Sequence, residues 1–290
     1  MKDTFHLNTK LVGLIGHPIK HTYSPFIHNT AATLLKLDLL YLPFDVYPAN
    51  LKDALRGMVA LGIEGFNVTV PHKENIISFL QNVTDESSII GAVNTIVNDH
   101  GKLTGHNTDV HGINESLIPF KDEIAGSNVV LIGAGGSARS VVYTLIRKFK
   151  PASISIVNRT EPRAESLKDY FAKTMKYEAI KTFELTPPDL LKVFHNSKLI
   201  INATNIGMAP DVEDSAVNSV EFFNKDQIVF DLVYNPTETK LLFLARQAGA
   251  RTINGLQMLV AQAAKSFELW TGKEMPHSEV YKALKLYLTP

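Results

Sequence analysis

The stretch Asn128 to Arg139, N-V-V-L-I-G-A-G-G-S-A-R, decides the architecture of this chain. Its apolar first part, Val129 to Ile132, ends abruptly in glycines, and apolar residues then recur at helical intervals from Val141 to Phe149. A short apolar run predicts a buried strand, and the helical spacing predicts an amphipathic helix. The stretch therefore predicts a strand, a tight turn and a helix in immediate succession.

The glycines of this turn fit the pattern G-x-G-x-x-G/A, which is a fingerprint of dinucleotide binding. Gly133 permits the sharp turn, Gly135 lets a pyrophosphate approach the backbone, and Ala138 keeps the helix close to the strand. The N–H groups at the start of the helix would then face the phosphates. A glycine-rich turn is often only a turn, but the strand before it and the helix after it favour a dinucleotide site.

The composition is that of a globular protein and excludes several classes of function. The chain has 290 residues, 45% hydrophobic and 20% charged, with a formal net charge of zero, which predicts one large or two ordinary domains. No basic excess favours nucleic acid, and the absence of cysteine excludes disulfides, zinc thiolates and a cysteine nucleophile. There is no apolar signal core and no run of membrane-spanning length. We therefore expect a cytoplasmic protein that binds neither nucleic acid nor membranes.

Predicted strands and helices alternate in the first half of the chain, which indicates parallel βαβ units. The strands are predicted at 11–15, 41–46 and 66–70, and a helix at 51–61. Ser24-Pro25 predicts a helix start with Ser24 as N-cap. Thr22 and Ser24 place two hydroxyls after the first strand, at the end where open α/β sheets bind ligands. The alternative interpretation is that both are caps and turn formers.

Polar side chains also follow the later strands of this half. Asn67 and Thr69 point to the same face of their strand, and Lys73 follows it either as a solvated lysine or as a pocket lysine that acts on a carboxylate or hydroxyl. The sequence D-H-G at 99–101 predicts a hairpin turn. Turn chemistry is the alternative for the polar residues that cluster around these strand ends. They are Asn94, Asn107, Thr108 and Asp109.

The strand predicted at 153–157 ends in Asn158-Arg159-Thr160, the position that selects between two dinucleotides. An acid here favours NAD, and an arginine favours the 2′-phosphate of NADP. Arg163 lies one helical turn further on, and two guanidiniums can hold a phosphate dianion. We assign Glu161 to the start of a helix, where acids are common. The pattern therefore favours NADP.

The remaining elements predicted in the second half are strands and helices in alternation. The strands are at 199–203, 228–233 and 251–253. The helices are at 110–120, 237–248 with Thr237 as its cap, 256–271 and 278–288.

Several stretches together resemble one family, the shikimate dehydrogenases, which are NADP-dependent enzymes of aromatic amino-acid biosynthesis. The motifs of the first half are G-H-P-I-K-H-T-Y-S-P-F-I-H-N from Gly16, N-V-T-V-P-H-K from Asn67, G-A-V-N-T from Gly91 and G-H-N-T-D from Gly105. Those of the second half are G-A-G-G-S-A-R from Gly133, N-R-T-E-P-R-A from Asn158, N-A-T-N-I-G-M from Asn202, Y-N-P from Tyr234 and G-L-Q-M-L-V-A-Q-A from Gly255.

The resemblance implies an α/β fold with an N-terminal substrate domain at 1–111 and a Rossmann-like NADP domain at 112–255. C-terminal helices at 256–290 return to complete the first domain. It also implies NADP(H) as cofactor, a small-molecule substrate and a catalytic pair at Lys73 and Asp109. We further expect a monomer or homodimer, and no metal site, because the sequence contains no metal-binding motif. Substrate contacts are implied at Thr22, Ser24, Thr69, Asn94, Tyr234 and Gln262. Cofactor contacts are implied at Gly133, Ala134, Gly135, Gly136, Ser137, Asn158, Arg159, Thr160, Arg163, Leu232 and Gly255.

The function implied by the resemblance is the reversible NADPH-dependent reduction of 3-dehydroshikimate to shikimate. The chain departs from the family at Thr22, where Ser is usual, and relatives that use quinate vary at this hydroxyl pair. One alternative is therefore a quinate/shikimate dehydrogenase with broader substrate and cofactor use. A more remote one is a non-catalytic NADP-binding sensor. His17, His21 and His72 are alternative proton donors to Lys73.

Overall fold

The computed structural model of this protein describes residues 6–19, 22–184 and 190–288. The chain forms two α/β units: the first consists of 1–111 and 260–290, and the second of 112–259. Each unit contains a six-stranded sheet. The predicted α/β fold class is confirmed. Within the described ranges, no helix combines the length and the apolar character that crossing a lipid bilayer requires.

Strands and helices follow one another along most of the described chain. The strands are β1 (Lys10–Gly16), β2 (Leu39–Asp45), β3 (Gly65–Val68), β4 (Asn82–Val83), β5 (Thr95–Asp99), β6 (Lys102–His106), β7 (Asn128–Ile132), β8 (Ser153–Val157), β9 (Ile180–Phe183), β10 (Leu199–Asn202), β11 (Ile228–Asp231) and β12 (Arg251–Ile253). The α-helices are α1 (Ser24–Leu34), α2 (Leu51–Ala60), α3 (Asp85–Ile90), α4 (Asp109–Leu117), α5 (Lys121–Ile124), α6 (Gly136–Thr144), α7 (Glu161–Met175), α8 (Leu190–His195), α9 (Lys240–Gln247), α10 (Leu256–Thr271) and α11 (His277–Leu288).

The sheet of the first unit is mixed, with the strand order β2-β1-β3-β5-β6-β4. β1 pairs in parallel with β2 and β3, whereas β5 runs antiparallel to both β3 and β6. The predicted hairpin is confirmed: β5 and β6 are joined by a turn in which His100 and Gly101 have φ angles of 49° and 93°. As a result, the carboxyl ends of β1, β3 and β6 and the amino end of β5 lie at one edge of the sheet.

Helix α10 packs closely on this sheet because Gly65 has no side chain. The indole Nε1 of Trp270 donates a hydrogen bond of 2.9 Å to the carbonyl of Ile96. A Cβ on Gly65 would lie 2.2 Å from that nitrogen. The ring of Trp270 also packs at 5.3 Å from the ring of His28, which is stacked on Tyr41. Through Trp270, helix α10 is therefore part of the core of the first unit.

The sheet of the second unit is parallel throughout, with the order β12-β11-β10-β7-β8-β9. The strand order reverses between β7 and β10, beside the turn that follows β7. Ligands of open α/β sheets bind at such a switch point, outside the carboxyl ends of the strands. Fully buried residues such as Val130, Ile200 and Val229 form the core below it.

Two predicted helix caps are wrong. The N-cap of α1 is Tyr23, Ser24 is the first helical residue, and no side chain caps this helix. Helix α9 is capped by Thr239, whose hydroxyl accepts from the N–H of Leu242, and not by Thr237. Thr239 is held in place because its hydroxyl also donates to Asp231 at 2.6 Å, a contact that local sequence does not reveal. The sequence also predicted no strand at β4 or β9.

Candidate active site

Lys73 and Asp109 form a nearly buried ion pair at the edge of the first sheet. Lys73 lies in the segment after β3, and Asp109 begins α4 directly after β6. The Lys73 Nζ lies 2.6 Å from the Asp109 Oδ2, and the two side chains are 12% and 5% exposed. Breaking a buried pair leaves an uncompensated charge. The pair therefore holds an ammonium group and its counter-charge at a fixed point of the fold.

Two more of the predicted residues reach the same carboxylate and its neighbourhood. The Asn94 side chain, at the amino end of β5, donates to the Asp109 Oδ1 at 2.9 Å. Its amide nitrogen also lies 3.4 Å from the Gln262 Oε1 on α10. The hairpin and the returning helix thus bring four predicted site residues into one contiguous cluster.

The hydroxyl pair lies after the neighbouring strand β1. The Thr22 Oγ1 donates to the Ser24 Oγ at 3.2 Å and accepts from the Ser24 N–H at 3.3 Å. Because neither side chain caps α1, the capping interpretation is wrong, although Thr22 does shape the local turn. Thr69, directly after β3, donates its N–H to the carbonyl of Ile15 at 2.9 Å. It therefore lies at the same edge, since β1 and β3 are adjacent.

Two of the alternative proton donors, His17 and His72, have other partners. His72 is fully buried, and its Nε2 lies 2.7 Å from the carbonyl of Val46. The Nε2 therefore carries the proton, because only an N–H can donate to a carbonyl. The His17 Nδ1 lies 2.8 Å from Asp45. His21 lies outside the described residues.

The glycine turn of the second unit has the geometry that a phosphate ligand needs. Gly133 has a φ of 108°, and a Cβ there would meet the Thr204 side chain at 2.8 Å. A Cβ on Gly135 would project into open space, where a ligand can approach the backbone. Gly135 is the N-cap of α6, and no side chain caps this helix. Gly136 and Ser137, and Ala134 before them, belong to this turn and the first turn of α6.

A positively charged segment follows β8, the next strand of that sheet. Arg159 and Arg163 are exposed, and within the described residues neither pairs with a carboxylate. The Asn158 side chain donates to the carbonyl of Thr160 at 2.8 Å, which folds the segment into the start of α7. Glu161 is the first residue of α7, as the sequence predicts. In the described part of the chain, these two guanidiniums are therefore available to hold a phosphate dianion.

Asp231 fixes the segment that carries Leu232 and Tyr234, and the sequence did not single it out. This fully buried carboxylate accepts from Asn202 at 2.9 Å, from the Val233 N–H at 3.0 Å and from a threonine hydroxyl. Burial raises its pKa to about 6. The signal was an acid at the end of an apolar strand, which is unusual unless the carboxylate is bonded.

Gly255 packs against the same segment. Its N–H donates to the carbonyl of Val233 at 3.0 Å. A Cβ on Gly255 would lie 2.2 Å from the carbonyl oxygen of Leu232. The predicted cofactor residues Leu232 and Gly255 are therefore in contact, and the glycine is needed for that contact. Tyr234 lies in the second unit, apart in the chain from the other predicted substrate residues.

Two buried residues of the first unit were also missed, although both bond to predicted site residues. The Thr95 hydroxyl lies 3.1 Å from the Asn94 Oδ1, and the Ser266 hydroxyl donates to the carbonyl of Gln262 at 3.1 Å. Ser266 lies four residues after Gln262 on one face of α10. This spacing of four residues was the signal in the sequence that places Ser266 beside Gln262.

Comparison with known proteins accounts for nearly the whole chain. The family model of the shikimate dehydrogenase substrate binding domain matches residues 14–96. The model of shikimate/quinate 5-dehydrogenase matches 117–241. The model of the shikimate 5′-dehydrogenase C-terminal domain matches 255–285.

Individual relatives agree with these models. The NADP(+) shikimate dehydrogenase of Caldanaerobacter subterraneus is 43% identical over 96% of this chain and 97% of its own length. A crystal structure of shikimate dehydrogenase in complex with NADP+ has a TM-score of 0.90 and 40% identity, covering 99% of this chain and 98% of its own. A structure from Listeria monocytogenes in complex with shikimate and NAD has a TM-score of 0.86 and 36% identity, covering 98% and 99%. The sequence and the fold agree: this chain belongs to the shikimate dehydrogenase family.

Proposed function

We propose that this chain is an enzyme that catalyses the reversible NADPH-dependent reduction of 3-dehydroshikimate to shikimate. The observation that carries the proposal is the nearly buried Lys73–Asp109 pair at 2.6 Å, in a chain whose relatives are NADP-dependent shikimate dehydrogenases. The first unit is the substrate domain, and the second is the NADP domain.

The substrate is a small polyhydroxylated carboxylate, and the edge of the first sheet offers matching groups. The Thr22 and Ser24 hydroxyls, 3.2 Å apart, hold the substrate carboxylate. Thr69, Asn94 and Gln262 bind its hydroxyl groups, and the family resemblance adds Tyr234 to the substrate contacts. Together with Lys73, these groups supply hydrogen bonds to a ligand that exposes oxygen on every side.

Bound NADPH supplies the hydride that reaches the carbonyl carbon of the substrate. Lys73 then gives a proton to the carbonyl oxygen as the negative charge develops there. Asp109 holds the lysine ammonium in place and stabilises its charge between turnovers. In the oxidation direction Lys73 accepts the hydroxyl proton. Proton transfer by a positioned side chain contributes typically about 10² to 10⁴-fold to a rate.

Backbone N–H groups hold the pyrophosphate of the cofactor, and arginine side chains hold its 2′-phosphate. The turn at Gly133 to Ser137 and the uncapped start of α6 bind the pyrophosphate. Arg159 and Arg163, with Asn158 and Thr160, bind the 2′-phosphate that distinguishes NADP from NAD. Leu232 and Gly255 line the site beside the end of β11.

The test is an absorbance assay at the NADPH band with every pairing of two substrates and two cofactors. Shikimate with NADP should give the highest kcat/KM. Shikimate with NAD should be lower, because the exposed arginines then lose their phosphate partner. Quinate should be a poor substrate. Comparable rates with NAD and NADP would contradict the assignment of the arginines.

A second candidate is a quinate/shikimate dehydrogenase with broader specificity, and Thr22 is the observation in its favour. Threonine adds a methyl group beside the hydroxyl that holds the carboxylate, and this changes the shape of the pocket. Quinate turnover within tenfold of shikimate turnover would support this candidate. A non-catalytic NADP-binding sensor is disfavoured by the buried Lys73–Asp109 pair, which a sensor does not need.

We further propose that the enzyme acts in the cytoplasm as a monomer or homodimer, on a free small-molecule substrate. Light scattering at assay concentrations distinguishes the two oligomeric states. A larger assembly would contradict this part of the proposal.

A further inference from the structure

Asp109 is bonded to a group of buried amides and hydroxyls, which we call the polar cluster. No member is more than 5% exposed. Buried polar groups cost free energy unless they are hydrogen bonded, so the cluster is stable only as a completed network. Its members are Asn67, Asn94, Thr95, Thr108 and Ser266.

Three hydroxyls form a triangle at the centre of the polar cluster. The Thr95 oxygen lies 2.8 Å from that of Ser266 and 3.1 Å from that of Thr108, and the last two are 3.0 Å apart. The Ser266 hydroxyl donates to the carbonyl of Gln262. Its oxygen therefore accepts hydrogen bonds from the cluster.

Asn67 completes the network. Its Oδ1 accepts from the Tyr41 hydroxyl at 2.8 Å, which fixes the orientation of the amide. Its Nδ2 then donates to both Thr95 and Ser266, each at 3.0 Å. Because the Thr95 oxygen accepts a hydrogen bond from the Asn67 amide, the Thr95 hydroxyl can donate its own hydrogen to another member of the polar cluster.

The Asn94 carboxamide is where the polar cluster meets the ion pair. Its Oδ1 accepts from the Thr108 N–H at 2.7 Å and lies 3.1 Å from the Thr95 hydroxyl. Its Nδ2 donates to Asp109 at 2.9 Å. If the Asn94 amide were flipped, its oxygen would face the Asp109 carboxylate, which cannot donate a hydrogen bond. Its N–H groups would face the Thr108 N–H and the Thr95 hydroxyl, which are donors. The Thr95 hydroxyl is thus one of the donors that select the orientation in which Asn94 supports Asp109.

We infer that Thr95 is a positioning residue of the reaction, which acts through Asn94 on Asp109 and hence on the proton-transfer lysine. The inference rests on the proposed function, because positioning has meaning only for a reaction at this pair. Thr95 is fully buried, and its hydroxyl is occupied by the polar cluster. Its effect should therefore appear in kcat more than in cofactor binding.

The test compares two substitutions at one position. Thr95→Val keeps the shape but removes the hydroxyl, and Thr95→Ser keeps the hydroxyl but removes a methyl group. We expect Thr95→Val to lower kcat by about 5- to 50-fold, as loss of one well-placed hydrogen bond does. Thr95→Ser should restore most of the rate. The KM for NADP should stay within about twofold of wild type in both, because the cofactor residues lie in the second unit.

Thr144→Val is the matched control. Thr144 is also fully buried, but it lies in α6, and its hydroxyl donates to the carbonyl of Ser140 at 2.7 Å within its own helix. It should lose stability without losing kcat. The fraction of active sites is counted by NADPH titration, so that unfolded protein does not lower the apparent rate. Ser266→Ala, which adds no volume, is a second variant and should lower kcat in the same direction.

Three results would overturn the inference. They are a wild-type kcat in Thr95→Val, an equal loss in Thr95→Ser, which would indicate packing alone, and an equal loss in the Thr144→Val control. The wild-type enzyme is measured in the same assay. A wild type without shikimate turnover would refute the proposed function and with it this inference, whereas an active wild type with an unaffected Thr95→Val refutes only the inference.

Discussion

The ends of the two sheets differ in what their predicted site residues are bonded to. At the first sheet, the Lys73–Asp109 pair and Asn94 are nearly buried and bonded to one another. At the second, Gly135 faces open space and Arg159 is exposed. The first edge is a set of side chains fixed before any ligand arrives. The second consists of backbone groups and flexible cations that acquire partners when a ligand binds.

This difference predicts how each edge responds to substitution. A prearranged side-chain network fails when one member is removed, because its neighbours lose their geometry and a buried charge is left without a partner. A site made of backbone and exposed charge loses mainly the one interaction that was removed. Changes at the first edge should therefore affect kcat, and changes at the second should affect cofactor affinity.

The largest effect is expected for Lys73→Ala. We expect kcat to fall by about 10² to 10⁴-fold, with a modest change in KM and an unchanged fold by circular dichroism. Lys10→Ala is the matched control, because Lys10 pairs with Glu64 at 2.8 Å on the exposed surface of the same unit. A Lys73→Ala enzyme within a few-fold of wild type would contradict the assignment, and His21 would then be the next residue to test.

The second prediction concerns the pH dependence of stability and Asp231. Burial raises its pKa from 3.8 to about 6, so between these values the folded state binds more protons than the unfolded state. Its contribution to the free energy of unfolding is therefore highest at low pH and decreases as the pH rises through 6, by about 3 kcal/mol in total.

Urea unfolding of wild type and Asp231→Asn at several pH values between about 3.5 and 7, a range that spans both pKa values, measures this contribution. The stability of wild type relative to the variant should fall as the pH rises. His28 has the opposite effect, since burial lowers its pKa to about 3, but it is common to both proteins and cancels in the difference. A difference that does not change with pH would contradict the prediction.

At the second edge, Arg159→Ala should raise the KM for NADP by about tenfold to a hundredfold, because a charge-assisted hydrogen bond contributes roughly 1.5 to 3 kcal/mol. Use of NAD should be nearly unchanged. Arg147, an exposed arginine of the same unit, provides the control substitution. A large fall in kcat with an unchanged KM in Arg159→Ala would contradict the predicted difference between the edges of the two sheets.

The smallest effects are expected at the hydroxyl pair. Ser24→Ala should raise the KM for shikimate by about tenfold, the effect of one hydrogen bond to a charged group, while NADP titrates normally. Thr22→Ser should retain nearly full activity because the hydroxyl remains. Equal loss of shikimate and NADP binding in Ser24→Ala would indicate misfolding rather than a lost contact.

The sequence predicted the buried strands well because apolar runs and glycine turns are local signals, but it missed β4 and β9, which lie at the edges of the two sheets. It also predicted the hairpin that brings Asn94 and Asp109 together, since D-H-G is a local turn signal. The Lys73–Asp109 pair was assigned from family resemblance; the two side chains lie 2.6 Å apart, and their catalytic role stays a prediction.

Contacts distant in sequence were not predictable in the same way. Thr95 and Ser266 are 171 positions apart, and each alone has the sequence environment of an ordinary strand or helix residue. Thr237 and Thr239 are equally plausible caps by local sequence, and the buried Asp231 selects Thr239. In each case a tertiary hydrogen bond decides, and its partner becomes known only when the chain has folded.

The claim that the first edge acts as one prearranged unit is tested most directly by a double-mutant cycle on kcat with Lys73→Ala, Asp109→Asn and the combined variant. Each single change should lower kcat comparably, within about 10² to 10⁴-fold. The double variant should lose much less than the product of the two, because residues that act together are strongly non-additive. If the fold-loss in kcat of the double variant equals the product of the two single losses, Lys73 and Asp109 act independently and the first edge is not one prearranged unit.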